Sequence, residues 1–122
     1  MANYLHPDVL DNGLVTLTNA TSTVLHLCSG TQPTTRATAI SQSVANKASP
    51  TISSPTARTP DGRKVTIAAV TDGTVTVTAT ETCWALIDGT RLLAVGDSND
   101  QAMTSGNVMT CTAIDIGIPG AV

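Results

Sequence analysis

From Arg63 to Val95 the chain alternates between apolar and polar positions. Thr74, Thr76, Thr78 and Thr80 interleave with Val75, Val77 and Ala79, a period of two that suits a strand with one buried face and does not suit a helix. Asp72-Gly73 and Asp88-Gly89 interrupt the apolar runs where tight hairpin turns belong. The pattern predicts an antiparallel β-meander with strands at about 64–71, 74–80, 83–88 and 91–96. In the third strand Cys83, Ala85 and Ile87 alternate with Trp84 and Leu86, so both faces are apolar and both must be covered. In the fourth, Leu92 and Ala94 alternate with Leu93 and Val95.

The flanking segments are less regular. Residues 1–7 read as an N-terminal arm. From Pro7-Asp8 onward Val9, Leu10, Gly13, Leu14 and Leu17 recur at helical spacing, which favours a short helix. The β-branched run 14–18 also suits a strand. Residues 23–28 predict a strand with Val24, His26 and Cys28 on one face and Leu25 and Leu27 on the other, again covered twice. Thr34 or Thr35 caps a second predicted helix, because Ala37, Ile40 and Val44 keep helical spacing up to Lys47. Residues 48–61, with Pro50, Pro55 and Pro60 among Ser and Thr, predict an extended connector, and 96–106 a polar loop. The last strand, 107–118, changes phase: Met109, Cys111 and Ala113 share one face, then Ile114, Ile116 and Ile118 the other. A period of two reverses face only at a bulge, a bend or a move to another sheet. The expected fold is a single mainly β domain over 1–122, a β-sandwich or flattened barrel built on the antiparallel meander, with one or two short N-terminal helices.

Composition narrows the function. Charged residues are 12% of the chain, about half the usual share, so Thr, Ser, Asn, Gln and backbone must form most of the surface. A surface so poor in charge suggests that a partner covers part of it. Phe is absent and Trp84 and Tyr4 are the only aromatics, which leaves no base-stacking platform. The net charge is −3 and the six Lys and Arg are scattered apart from Arg63-Lys64, which argues against nucleic acid. No apolar run is long enough to span a membrane as a helix, and the N-terminus has no signal-peptide pattern. Cys28, Cys83 and Cys111 have no paired spacing and read as buried thiols of a chain folded in the cytosol.

Candidate chemistry is sparse. His26 and Cys28 sit two apart on one strand, a spacing that can begin a metal site, with Cys83 or Cys111 to complete it; packing as small hydrophobes is the simpler reading. Asp97 to Asp100 begins like a calcium loop, but Ala102 and Val108 stand where glycine and a bidentate glutamate are needed. His6 and His26 are the only candidate bases, no nucleophile elbow exists, and Glu81 is the sole Glu. The expectation is therefore no enzyme, no catalytic residue, no metal and no cofactor. The candidate partner contacts are Tyr4 and His6 in the arm, Pro50, Pro55 and Arg58 in the connector, and Arg63 and Lys64 after it. The three cations could grip an acidic neighbour or simply solvate a charge-poor loop.

The segments LCSGTQPTT at 27–35, GRKVTIAA at 62–69, CWALIDGTRLLAVG at 83–96 and AIDIGIP at 113–119 together give the chain a recognisable cast. End to end, it resembles a group of small tailed-phage and prophage virion structural proteins. The resemblance lies in fold-forming residues and carries no active site. It implies a virion component, made in the host cytoplasm and placed on the capsid surface as a decoration (cement) protein. Its partners would then be the major capsid protein and further copies of itself, as a homotrimer, with no nucleic acid and no membrane. A tail or head-fibre subunit is the alternative, and a glycan-binding β-sandwich module a further one.

Overall fold

The computed structural model describes residues 4–5, 13–57, 63–98 and 100–118, with backbone alone at 4, 5 and 118. In chain order the elements are β1 (Tyr4–Leu5), α1 (Val15–Asn19), β2 (Val24–Cys28), α2 (Arg36–Ser41), β3 (Ser43–Ala48), β4 (Thr56–Ala57) and β5 (Arg63–Ile67). There follow β6 (Val70–Val75), β7 (Ala79–Thr80), β8 (Cys83–Ile87), β9 (Leu92–Asp97), β10 (Ala102–Met103), β11 (Val108–Cys111) and β12 (Ile114–Ile118). A seven-stranded sheet runs β1-β9-β8-β2-β3-β6-β11, a three-stranded sheet runs β12-β5-β4, and β10 pairs with β7. Every described pair is antiparallel. The protein is mainly β with two short helices, as its pattern predicts.

The pairing departs from a simple meander. Between Arg63 and Val95 only β8 and β9 pair as sequence neighbours. Residues 64–71 do not make one strand: the chain breaks at Ala68-Ala69, leaving β5 in the small sheet and starting β6 in the large one. Asp72-Gly73 is no turn but lies inside β6. Gly73 stands opposite Met109, and a Cβ there would fall 2.8 Å from Met109 Cε. A bulge beside Asp72 lets Val70, Gly73 and Val75 all face inward although they do not keep a strict period of two.

Two further bulges explain where the alternation misleads. In β9 the register slips so that Leu86 pairs with Ala94 and Ile87 with Leu92. Consecutive Leu93 and Ala94 thus enter the same cluster, while Leu92 and Val95 enter the other. In β3 the slip between Leu27–Ala45 and Cys28–Ser43 does the same for Val44 and Ala45. Residues 43–48 are therefore a strand and not the end of the second helix. That helix is capped by Thr35 as expected, its hydroxyl accepting from Thr38 N–H at 3.1 Å, but it stops at Ser41 and buries Ala39, leaving Ile40 exposed. The first helix occupies the ambivalent run with Leu14 and Leu17 buried; its expected beginning at residues 7–12 lies outside the described residues.

The large sheet is covered on both faces. On one, Leu25, Leu27, Trp84, Leu86 and Met109 meet Val65, Ile67 and Ile116 of the small sheet, with Leu14 and Leu17 of α1 beside them. On the other, α2 lays Ala39 on Cys28, Cys83, Ala85 and Ile87. Removing a side chain such as Leu25 or Leu27 from water contributes roughly 1.5–3 kcal/mol, so β2, buried on both faces, is the axis of the core. The change of phase in the last strand is the move between sheets: β11 ends on β6, and β12 begins on β5 with Ile114 opposite Ile67.

Candidate functional site

The expected partner contacts are dispersed, and much of their bonding capacity is used within the chain. Tyr4 belongs to β1 and pairs with Val95, extending the large sheet instead of standing off as part of a loose arm. His6 and Arg58 lie outside the described residues. Pro50 is buried, so it forms no part of an exposed contact, which corrects that expectation. Pro55 is half-buried and its carbonyl accepts from Arg63 Nη2 at 3.1 Å. Lys64 Nζ is 3.1 Å from Asp115 Oδ2 on β12. The connector does not reach outward at its described part either: it lies along β5. Ser53 N–H donates to the Thr66 carbonyl at 2.9 Å, Thr66 N–H to Ser53 Oγ at 2.9 Å, and Ala68 N–H to the Thr51 carbonyl at 2.8 Å.

His26 and Cys28 do share a face, beneath α2. His26 Nδ1 is 2.7 Å from Ser43 Oγ, and burial, helped by the positive charge of Arg36, holds its pKa below the ordinary value. Cys28 is directly opposite Cys83, and their mutual hydrogen bond followed by burial pushes the Cys28 thiol up. Cys111 lies instead against the opposite core cluster. Among the described residues no three His, Cys, Asp or Glu side chains gather as metal ligands.

A cleft of about 470 Å³ opens where the chain changes sheets twice. Residues 69–71, at the β5-to-β6 crossing, form one wall and residues 110–114, at the β11-to-β12 crossing, the other; Leu27 and Trp84 of the large sheet line its depth. The remaining lining comes from Glu81, Asp97, Ser98 and Gln101. Trp84 is itself only 8% exposed, its indole pressed on Gly96 so closely that a Cβ there would lie 2.7 Å from Nε1. It is a packed side chain of which only a small part reaches the cleft.

Glu81 is the unusual member. It is 2% exposed; Oε1 accepts the Gln101 amide at 3.0 Å, and Glu81 N–H donates to the Gln101 carbonyl at 2.9 Å, tying the residues before β10 to those after β7. Its Oε2 and the Ser98 hydroxyl oxygen are buried without a partner among the described residues. Burial, reinforced by Asp100, raises the Glu81 pKa against the lowering effect of the Gln101 amide. The sequence offers one signal for this residue: Glu81 stands two before Cys83 and so shares the phase of a strand with both faces apolar, a position that a surface acid would not choose. Ser98 and Gln101 carry no such mark, because their place depends on how the polar loop folds back on β7.

No protein-family profile, no curated protein and no solved structure matches the chain.

Proposed function

We propose that the protein is a structural subunit of a phage particle, a capsid decoration protein that binds the outside of the major capsid protein lattice and stabilises it. The observation that carries this reading is the β6–β11 corner. β11 is the last strand of the large sheet, and its outer edge has no described partner. Val108 on it is 64% exposed and Val77 47% exposed, on segments joined by Ser105, whose N–H reaches Thr78 Oγ1 and whose hydroxyl reaches the Thr76 carbonyl. An open strand edge with outward valines among threonines is a surface suited to being covered. The described cations are meanwhile engaged within the chain: Arg36 with the Asp88 carbonyl, Lys47 with Asp72, Arg63 with the Pro55 carbonyl, Lys64 with Asp115 and Arg91 with Asp88. The end-to-end resemblance to small virion proteins gives this surface its context.

A decoration protein acts by burying surface on neighbouring shell subunits, so its binding free energy opposes their separation, and repetition across the lattice multiplies the effect. Local threefold positions on a shell call for a trimer, with each copy presenting the same corner. The test adds purified protein to undecorated shells and follows their heat tolerance. A rise that saturates with added protein, and that shrinks for Val108→Asp, supports the proposal. Shells that neither bind the protein nor gain heat tolerance overturn it.

A further inference from the structure

We propose that the cleft between the two sheet crossings is a binding site for a primary alkylammonium group, with Glu81 as the counter-charge. This rests on the cleft alone and stands apart from the particle assignment. The described residues lining it include no Lys, Arg or His, whereas Glu81 and Asp97 supply carboxylates and Thr71, Ser98, Thr110 and Thr112 supply hydroxyls. Such a lining refuses anions and offers acceptors, which is what an ammonium head requires, having three donors and no acceptor. The apolar lining of Leu27, Val70, Trp84 and Ile114 suits an alkyl stem behind that head.

The buried polar atoms turn this from an acidic cleft into a site. Among the described residues Glu81 Oε2 and Ser98 Oγ are enclosed without partners, and an unmet acceptor in such surroundings is costly until a donor reaches it. A charged donor makes the stronger bond to a carboxylate, and an opposite charge beside it offsets part of the penalty of ionising it there. The volume of about 470 Å³ lies within the range of small-ligand sites.

The same ammonium chemistry could come from a free alkylamine or from a lysine side chain, so both are tried. Trp84 is the only tryptophan and lines the cleft, and its emission reports occupancy without a label. The whole protein is titrated with n-butylammonium, with Nα-acetyl-lysine N-methylamide and with n-butanol. At least one ammonium should give a saturable change, with n-butanol at least about tenfold weaker, and Glu81→Gln should weaken binding about tenfold. Response to n-butylammonium alone identifies a free amine as the ligand, and response to the lysine derivative identifies a side chain. Ala69→Leu, on the exposed wall, should obstruct binding while keeping the native spectrum, and it decides the matter if the Glu81 variant does not fold. No saturable response to either ammonium, equal binding of n-butanol, or unchanged binding in both variants overturns the proposal.

Discussion

Gly96 and Trp84 face each other across the β8–β9 pair, and a methyl on Gly96 would meet Nε1, Cε2 and Cζ2 of the indole at 2.7–2.8 Å. The ring is rigid and held by the core, so Gly96→Ala should destabilise the fold by about 1–3 kcal/mol, read by urea unfolding with Trp84 emission. Nothing along the chain marks this glycine; its role exists only through the register of the neighbouring strand. At Glu81 the sign of the pH dependence follows from a pKa raised by burial. The folded state holds the proton more tightly than the unfolded chain, so the contribution is complete below the unfolded value of 4.5 and is lost as pH rises through the folded value. Stability plotted against pH should therefore fall over that window in the parent and be flatter in Glu81→Gln. An identical slope in the two would show that Glu81 does not titrate in its buried place.

At the scale of elements, short pieces depend on single polar contacts. The six residues of α2 are too few to stand alone, and Thr35 supplies the cap. Thr35→Ala should cost about 1 kcal/mol and speed thiol labelling of Cys28, because Cys28 Sγ donates to the Ala39 carbonyl beneath that helix. The β8–β9 hairpin turns on Asp88, which accepts from Thr90 N–H, Arg91 N–H and Arg91 Nε at 2.6–2.8 Å. Burial alone would push Asp88 up, but these donors and the Arg91 charge together hold it below its ordinary value. Asp88→Asn should cost about 1–3 kcal/mol at neutral pH, with the gap closing as pH falls from 3.8 through the lower folded value, since protonation then removes the same charge in the parent. Which Asp-Gly pair makes a hairpin was not legible from the pair itself. Asp88 sits between β8, buried throughout, and β9, buried except at Asp97, whereas Asp72 lies on a strand whose bulge preserves the inward phase. Apolar positions on both faces of β2 and β8, and the phase change at residues 113–114, were legible because burial leaves a direct trace in side-chain type. The helical spacing of Ala37 and Ile40 does mark α2, but its continuation to Val44 was misleading because a bulged strand can imitate it.

For the molecule as a whole, the sequence carries the class of fold and not its wiring. Apolar alternation says that strands exist, while the pairing of β5 with β12 and of β6 with β3 and β11 is set by contacts far apart in the chain. The cleft is a product of that wiring, formed where two crossings between sheets come together, so its residues are scattered from Leu27 to Ile114 and no local motif announces it. The open β11 edge is likewise visible only once the strand order is known. The assembly proposed for that edge is tested most directly by imaging purified particles that carry the protein at side-chain resolution. Copies should be spread over the shell at threefold positions, with Val108 and the β11 edge buried against a neighbour. Density confined to the tail, or shell copies whose β11 edge faces solvent, would contradict that assembly.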